Sequence, residues 1–198
     1  MIIKESILRA MGAEVDTYNV SEIIFSEGDV PGYYYQIIDG EVKLNNYSEE
    51  GKEILQNILE KGQSIGESLL FMDKKYPVNA IATRLCSIIK LSKPKFFRLL
   101  EKYPDVWIDI NKFISESLYF KQVMTMNLCS KSPASKLKIL MDYLKNSHEV
   151  EEKFCYQIPL TRQQMANLTG LCVETTIRTL KTMEKKKILR IKNRKILY

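Results

Sequence analysis

Thr161-Arg162-Gln163-Gln164-Met165-Ala166-Asn167-Leu168-Thr169-Gly170-Leu171-Cys172-Val173-Glu174-Thr175-Thr176-Ile177-Arg178 is the stretch on which the fold turns. A Thr followed three residues later by a Gln predicts a capping box, in which each side chain satisfies the other residue's orphaned backbone N–H. Ala166 is small where a second helix must approach closely, and Gly170 suits the left-handed backbone of a tight turn. A second helix then starts at Val173 and carries Glu174, Arg178 and Lys181 on about one face. Two short helices joined by a tight turn are therefore expected.

Beyond them, Ile191 and the Ile196-Leu197 pair flank a polar turn at Lys192-Asn193-Arg194, the pattern of a small hairpin beside the helices. Charge is concentrated in this part of the chain. Residues 1–149 carry 19 Lys and Arg against 20 Asp and Glu, a net of −1, whereas residues 150–198 carry 11 against 4, a net of +7. A polyanion is the natural partner of such a region, and the residue types fit double-stranded DNA. Arg178 can bond guanine O6 and N7 together, Glu174 can accept from cytosine N4, and lysines can sit on phosphates. Read without a partner, Glu174 and Arg178 would be an ordinary surface pair one helical turn apart.

Upstream, β-rich runs between about residues 18 and 92 are punctuated by Gly28, Gly40, Gly51 and Gly62, spaced 12, 11 and 11 positions apart. That spacing suggests successive hairpins of an antiparallel roll or sandwich, with Asp39-Gly40 as the clearest turn. Helical periodicity begins at Pro94. From Pro104-Asp105 to about Asn127 a long amphipathic segment places Ile110, Phe113, Ser117, Phe120 and Met124 on one narrow stripe, a pattern that suits a partner helix, while Val106 and Trp107 suit packing on the chain's own roll. Lys131-Ser132-Pro133 breaks the pattern and marks a domain boundary.

Several function classes recede on composition. Apolar residues make up 45% of the 198, ordinary for a globular chain, and no run of about 18 of them predicts a membrane span. The start lacks the order of a secretory signal, so the expected location is the cytoplasm, with no membrane partner. Cys86, Cys129, Cys155 and Cys172 lie far apart and His148 is the one histidine, so neither a zinc nor an iron–sulfur ligand set is evident. That lone histidine also removes most general-base schemes, and no nucleophile triad or phosphate loop is present. The chain does not read as an enzyme.

Taken in order, Glu27-Gly28-Asp29, Tyr35 with Asp39-Gly40-Glu41-Val42, Glu50-Gly51-Lys52-Glu53, Gly62 with Ile65-Gly66-Glu67, and Thr161 through Arg178 resemble the CRP/FNR family of transcription regulators over roughly residues 14 to 198. The resemblance implies an α+β fold: an N-terminal antiparallel β-roll of the cyclic-nucleotide-binding kind (1–104), a long dimerisation helix and hinge (105–130) and a C-terminal winged helix-turn-helix (131–198). It implies a homodimeric, sequence-specific regulator on a palindromic site with TGA-like half-sites, and RNA polymerase as a further partner. Its DNA-facing residues would be Arg162, Gln163, Val173, Glu174, Thr175, Ile177, Arg178, Lys181, Lys192 and Arg194. Arg162 matches a position that approaches phosphate. Ile177 stands where relatives carry Gly or Ser, and could touch a thymine methyl. The alternative is a nucleotide-responsive module whose C-terminal domain binds protein.

The effector is left open. Ile65-Gly66-Glu67-Ser68 resembles the start of the family's phosphate-binding cassette, and Gly66, Glu67, Ser68, Tyr76, Pro77, Ser117 and Lys121 outline a candidate effector pocket. Where nucleotide-binding members have Arg followed by Ser or Thr, this chain has Tyr76-Pro77. Tyr cannot neutralise a phosphate and Pro has no N–H to donate, which argues against cyclic AMP and for a structural role of Gly66 and Glu67. No haem or iron–sulfur signature accompanies the fold. Cys172 stands where relatives place a Ser or Thr helix cap, so a redox-controlled DNA contact is one expectation and a small filler residue the other.

Overall fold

The computed structural model describes residues 2–51, 53–128, 132–146 and 152–198. Lys52, Cys129, Lys131 and His148, named above, lie outside the described residues. The chain forms two compact units, residues 1–116 and 117–198, which divide inside a long helix.

In the first unit, helix α1 (Glu5–Ala10) precedes strands β1 (Glu14–Tyr18), β2 (Ile23–Phe25), β3 (Tyr33–Asp39), β4 (Glu41–Tyr47), β5 (Glu53–Glu60) and β6 (Ser64–Ile65). A short 3-10 helix (Glu67–Phe71), β7 (Asn79–Ala82), β8 (Cys86–Ser92), α2 (Lys93–Lys102) and the start of α3 (Pro104–Leu128) follow. The strands make two antiparallel sheets, ordered β1-β8-β3-β6 and β2-β7-β4-β5. Between them lies an apolar core that takes Tyr35, Ile37 and Ile88 from the first sheet and Phe25, Val42, Leu59 and Ala80 from the second.

Strand side chains alternate between faces, and β3 buries both. Tyr35 and Ile37 enter the core between the sheets; Tyr34 enters a second core with Leu8, Phe96, Leu99, Val106 and Ile110, built by α1, α2 and α3. Tyr34 stacks on Phe96 at 4.8 Å between ring centroids. Gln36, fully buried beside it, accepts from the N–H of Ile3 (2.8 Å) and from the Tyr34 hydroxyl (2.8 Å), and donates to the Ile3 carbonyl (2.9 Å). The side-chain amide thus makes the pair of hydrogen bonds that a neighbouring strand would make, so a polar group at full burial keeps its partners.

Two expectations are corrected. Of the four turn glycines, Gly51 alone lies between strands that pair with each other, β4 and β5. At Asp39-Gly40 the chain passes from the first sheet to the second, and the turns at Gly28 and Gly62 also change sheets. Glycine spacing reports chain reversal, and in a two-sheet roll a reversal can cross the core as readily as it can close a hairpin. Gly40 has φ 111°, and a Cβ on it would lie 2.5 Å from Cys86 Sγ and 2.9 Å from the Leu85 carbonyl oxygen. No other residue fits that corner.

The second correction concerns α3. Of its stripe, Ile110, Phe113, Phe120 and Met124 are buried by the chain itself, each at most 9% exposed, and Ser117 is half-buried. Ile110 and Phe113 belong to the first unit's two cores, while Phe120 in the second unit packs its ring 4.9 Å from that of Tyr143. An apolar stripe shows that a helix is covered on one side, not by which chain. The opposite side of α3 presents Ile108, Leu118, Tyr119 and Met126, between 56% and 76% exposed. Among the described residues, no helix is long and apolar enough to cross a membrane.

The two glycine environments give a comparative test. Gly51 (φ 76°) has nothing within 4 Å of an added Cβ, so Gly51→Ala should cost only the left-handed backbone penalty of about 1–2 kcal/mol. Gly40→Ala must also displace backbone atoms of β8, and urea unfolding should show a loss at least about twice as large.

Candidate nucleic-acid interface

The second unit continues α3 and adds α4 (Pro133–Asn146), α5 (Arg162–Thr169), α6 (Val173–Lys185), β9 (Arg190–Lys192) and β10 (Lys195–Leu197). Leu137, Leu140, Met141, Met165, Ala166, Leu180 and Met183 are buried where α4, α5 and α6 pack on one another. The capping box is present: Gln164 N–H donates to Thr161 Oγ1 (3.2 Å), and Thr161 N–H to Gln164 Oε1 (2.7 Å). Gly170 ends α5 in the left-handed conformation (φ 66°, ψ 26°), turning the chain into α6.

α6 buries Thr176, Leu180 and Met183, and that choice of face determines what it shows to solvent. Glu174, Ile177, Arg178 and Lys181, at positions i, i+3, i+4 and i+7, are exposed. Among the described residues neither Glu174 nor Arg178 forms an ion pair, with the other or with a third group. Val173 and Thr175 are half-buried at the helix start, and Gln163 is exposed on α5 with its Nε2 donating to Asn167 Oδ1 (2.9 Å). Cys172 is the residue before α6. Its side chain caps no backbone N–H, and its exposed thiol lies 3.0 Å from Thr175 Oγ1.

β9 and β10 pair as the expected hairpin, Ile191 opposite Ile196. At its tip Asn193 (φ 51°) and Arg194 (φ 63°) are both left-handed, as the twist of a two-residue hairpin demands. Lys192 and Arg194 are exposed there. Three tethers that sequence reading missed hold this wing. The Arg162 guanidinium donates to the Arg194 carbonyl, and Glu184 Oε1 accepts from the N–H of Ile191 (2.8 Å). A segment before α5 also joins the sheet: Ile158 N–H donates to the Ile196 carbonyl (2.9 Å), and Tyr156 exchanges backbone bonds with Tyr198. No local signal in a short apolar run such as Tyr156-Gln157-Ile158 announces that pairing.

The other candidate residues are distributed differently. In the first unit, Gly66 (φ 68°) precedes the 3-10 helix, Glu67 is 5% exposed and accepts from Ser64 Oγ (2.7 Å), and Ser68 is half-buried. Tyr76 is brought against Gly66, whereas Pro77 is exposed and its carbonyl accepts from Asn46 Nδ2 (2.6 Å). Ser117 and Lys121 belong to the second unit, one turn apart on α3, with Lys121 exposed.

Comparison with known proteins follows the same division. A model of the cyclic nucleotide-binding domain matches residues 15–103, and one of the Crp-like helix-turn-helix domain matches residues 138–198. The chain is 26% identical over 171 residues to the cAMP-activated global transcriptional regulator CRP of Haemophilus influenzae, covering 85% of this chain and 76% of that protein. It is 24% identical over 176 residues to the transcriptional activatory protein AadR of Rhodopseudomonas palustris, covering 87% and 72%. Its fold is similar to that of the c-di-GMP responsive regulator CLP of Xanthomonas campestris, with TM-score 0.75, 20% identity and 97% of both chains covered. FixK2 of Bradyrhizobium japonicum also matches, with TM-score 0.75, 17% identity and 93% and 91% covered.

The first of these models describes a nucleotide pocket, and the residues here do not fit a cyclic phosphate. Tyr76 brings a ring rather than a cation to Gly66, and Pro77 offers no N–H.

The C-terminal tyrosine supplies a pH test. Tyr198 donates to Asp142 Oδ1 (2.5 Å), and burial, then that bond, push its phenol up from the usual 10 to about 12. The folded state favours the protonated phenol, so its contribution is complete below pH 10 and is lost as pH rises through about 12. The stability gap between the parent and Tyr198→Phe, measured by chemical unfolding, should be constant up to pH 10 and close above it.

Proposed function

Because the chain belongs to the CRP/FNR family of transcription regulators, we propose that it acts as a homodimer on a two-fold symmetric DNA site, without a cyclic nucleotide. The observation that carries the reading is the exposed row of Glu174, Ile177, Arg178 and Lys181 on α6, which forms no ion pair among the described residues, together with the exposed Lys192 and Arg194 at the wing tip. α6 enters the major groove. Arg178 takes guanine O6 and N7, Glu174 accepts from cytosine N4, and Ile177 meets a thymine methyl. Val173 and Thr175 line the helix start, while Gln163, Lys181, Lys192, Arg194 and Arg162 settle the unit on phosphates. Arg162, already bonded to the Arg194 carbonyl, also fixes the height of the wing.

Regulators of this family bind DNA, typically as dimers. For this chain the pairing element is α3, through Ile108, Leu118, Tyr119 and Met126 rather than through the stripe it buries itself. Residues 1–104 serve as the sensor, 105–130 as the pairing helix and hinge, and 131–198 as the reader. The two reading helices then span about one turn of duplex, roughly 34 Å. The protein works in the cytoplasm, with RNA polymerase as a further partner. The lack of a cation at Tyr76 and of an N–H at Pro77 supports independence from cyclic AMP.

Selection of bound sequences from a random duplex library, with and without cyclic AMP, tests the whole reading: the same palindrome should emerge in both. No enrichment would favour a protein partner for the C-terminal unit. Repeating the selection in reductant and in peroxide, for the parent and Cys172→Ser, tests a redox-controlled contact at the start of α6; equal response of the two proteins ends it. On the selected site, Arg178→Ala should cost about 1–3 kcal/mol and relax preference at one base pair, while Lys192→Ala should weaken all sequences alike. Equal losses on specific and random DNA would remove Arg178 from base reading.

Leu118→Glu should yield a folded monomer by sedimentation, with affinity for the palindrome down about a hundredfold or more. Phe120→Ala should instead lower stability and leave the dimer intact.

A further inference from the structure

We propose that the stacked pair Phe25–Tyr76 is a built-in occupant of the roll, a tethered aromatic plug in the space that Gly66 borders. Tyr76 is held from two directions. Its N–H donates to the Asp29 carbonyl (2.9 Å) and its carbonyl accepts from Gly28 N–H (2.8 Å), so the Gly28–Asp29 turn anchors its backbone. Its ring lies on that of Phe25, 3.7 Å between centroids and 10° from parallel. Tyr76 is 3% exposed and Phe25 5%, both within the core between the sheets, and Tyr35 adds a third ring at 6.0 Å from Phe25.

Gly66 leaves room for the plug. A Cβ there would lie 2.8 Å from Tyr76 Cε1 and 3.2 Å from Phe25 Cζ, so the absence of a side chain at Gly66 is matched by a ring from elsewhere in the same chain. The ring's own polar end shows which property is in use. Tyr76 Oη is buried and has no hydrogen-bond partner among the described residues, so the residue serves as an apolar filler despite its hydroxyl. Phe25, Gly66 and Tyr76 are 41 and 10 positions apart, and the fold brings their atoms into contact.

A plug of this kind makes the roll complete as folded, with its interior closed by covalently attached rings in place of a diffusible ligand. The inference rests on the reading that no cyclic nucleotide is the signal, but it concerns the roll's interior and needs no DNA to test. It deepens that reading by naming the group that takes the space.

Thermal unfolding of the full chain, with no DNA present, separates the possibilities. Tyr76→Phe keeps the ring and removes the orphan hydroxyl, so its Tm should equal or exceed the parent's. Tyr76→Ala should melt roughly 5 °C or more below the parent and, unlike the parent, gain Tm with millimolar p-cresol entering the vacated space. Tyr76→Phe falling as far as Tyr76→Ala would overturn the plug, because the hydroxyl would then be bonded. So would Tyr76→Ala responding to p-cresol no more than the parent does, or a saturable rise in the parent's Tm with cyclic AMP or cyclic GMP. A parent indifferent to nucleotide whose Tyr76→Phe variant is nevertheless destabilised would refute the plug alone and leave nucleotide independence standing.

Discussion

The first unit depends on β3 being buried on both faces. Most strands of an antiparallel roll show one face to water, but β3 puts Tyr35 and Ile37 into the core between the sheets and Tyr34 into the core beneath the helices. A single strand therefore joins two apolar cores. Its neighbour β8 does the same with Ile88 on one side and Ile89 and Leu91 on the other. The polar exception, Gln36, is tolerated because Ile3 and Tyr34 give its amide three hydrogen bonds. Gly40 then lets the chain leave this strand for the opposite sheet without a side chain colliding with Cys86.

In the second unit the same logic of faces operates in reverse. α6 is useful for what it leaves outside, and what it leaves outside follows from burying Thr176, Leu180 and Met183. The capping box at Thr161 and the left-handed Gly170 set where α5 stops and the chain turns into α6. Glu184 and Arg162 then tie the wing to α6 and α5 respectively. Each tether uses a charged side chain against a backbone group, so the wing is held without enlarging the apolar core.

Much of this was legible in the sequence wherever the signal was local. Thr161 with Gln164, Gly170, the starts of α2 and α3, and the hairpin around Asn193 are each dictated by neighbours within a few positions. Readings that needed a distant partner were not legible. The turn at Asp39-Gly40 is visible, but whether β4 returns beside β3 or crosses the core depends on Cys86 and Leu85, 45 or more positions away. The α3 stripe is visible, but its cover depends on residues such as Tyr143. Tyr76 stands out as an arginine replaced, yet its companion Phe25 carries no mark that separates it from any other core aromatic.

The tip of the wing carries a compromise between backbone and charge. Asn193 accepts the left-handed conformation more readily than most residues, but Arg194 adopts it against its own preference, and glycine would be the relaxed choice. Glycine there would relax the backbone and remove an exposed guanidinium from the tip. The tip therefore holds an exposed positive charge at the expense of backbone ease, and the turn that closes the hairpin is also its most strained point.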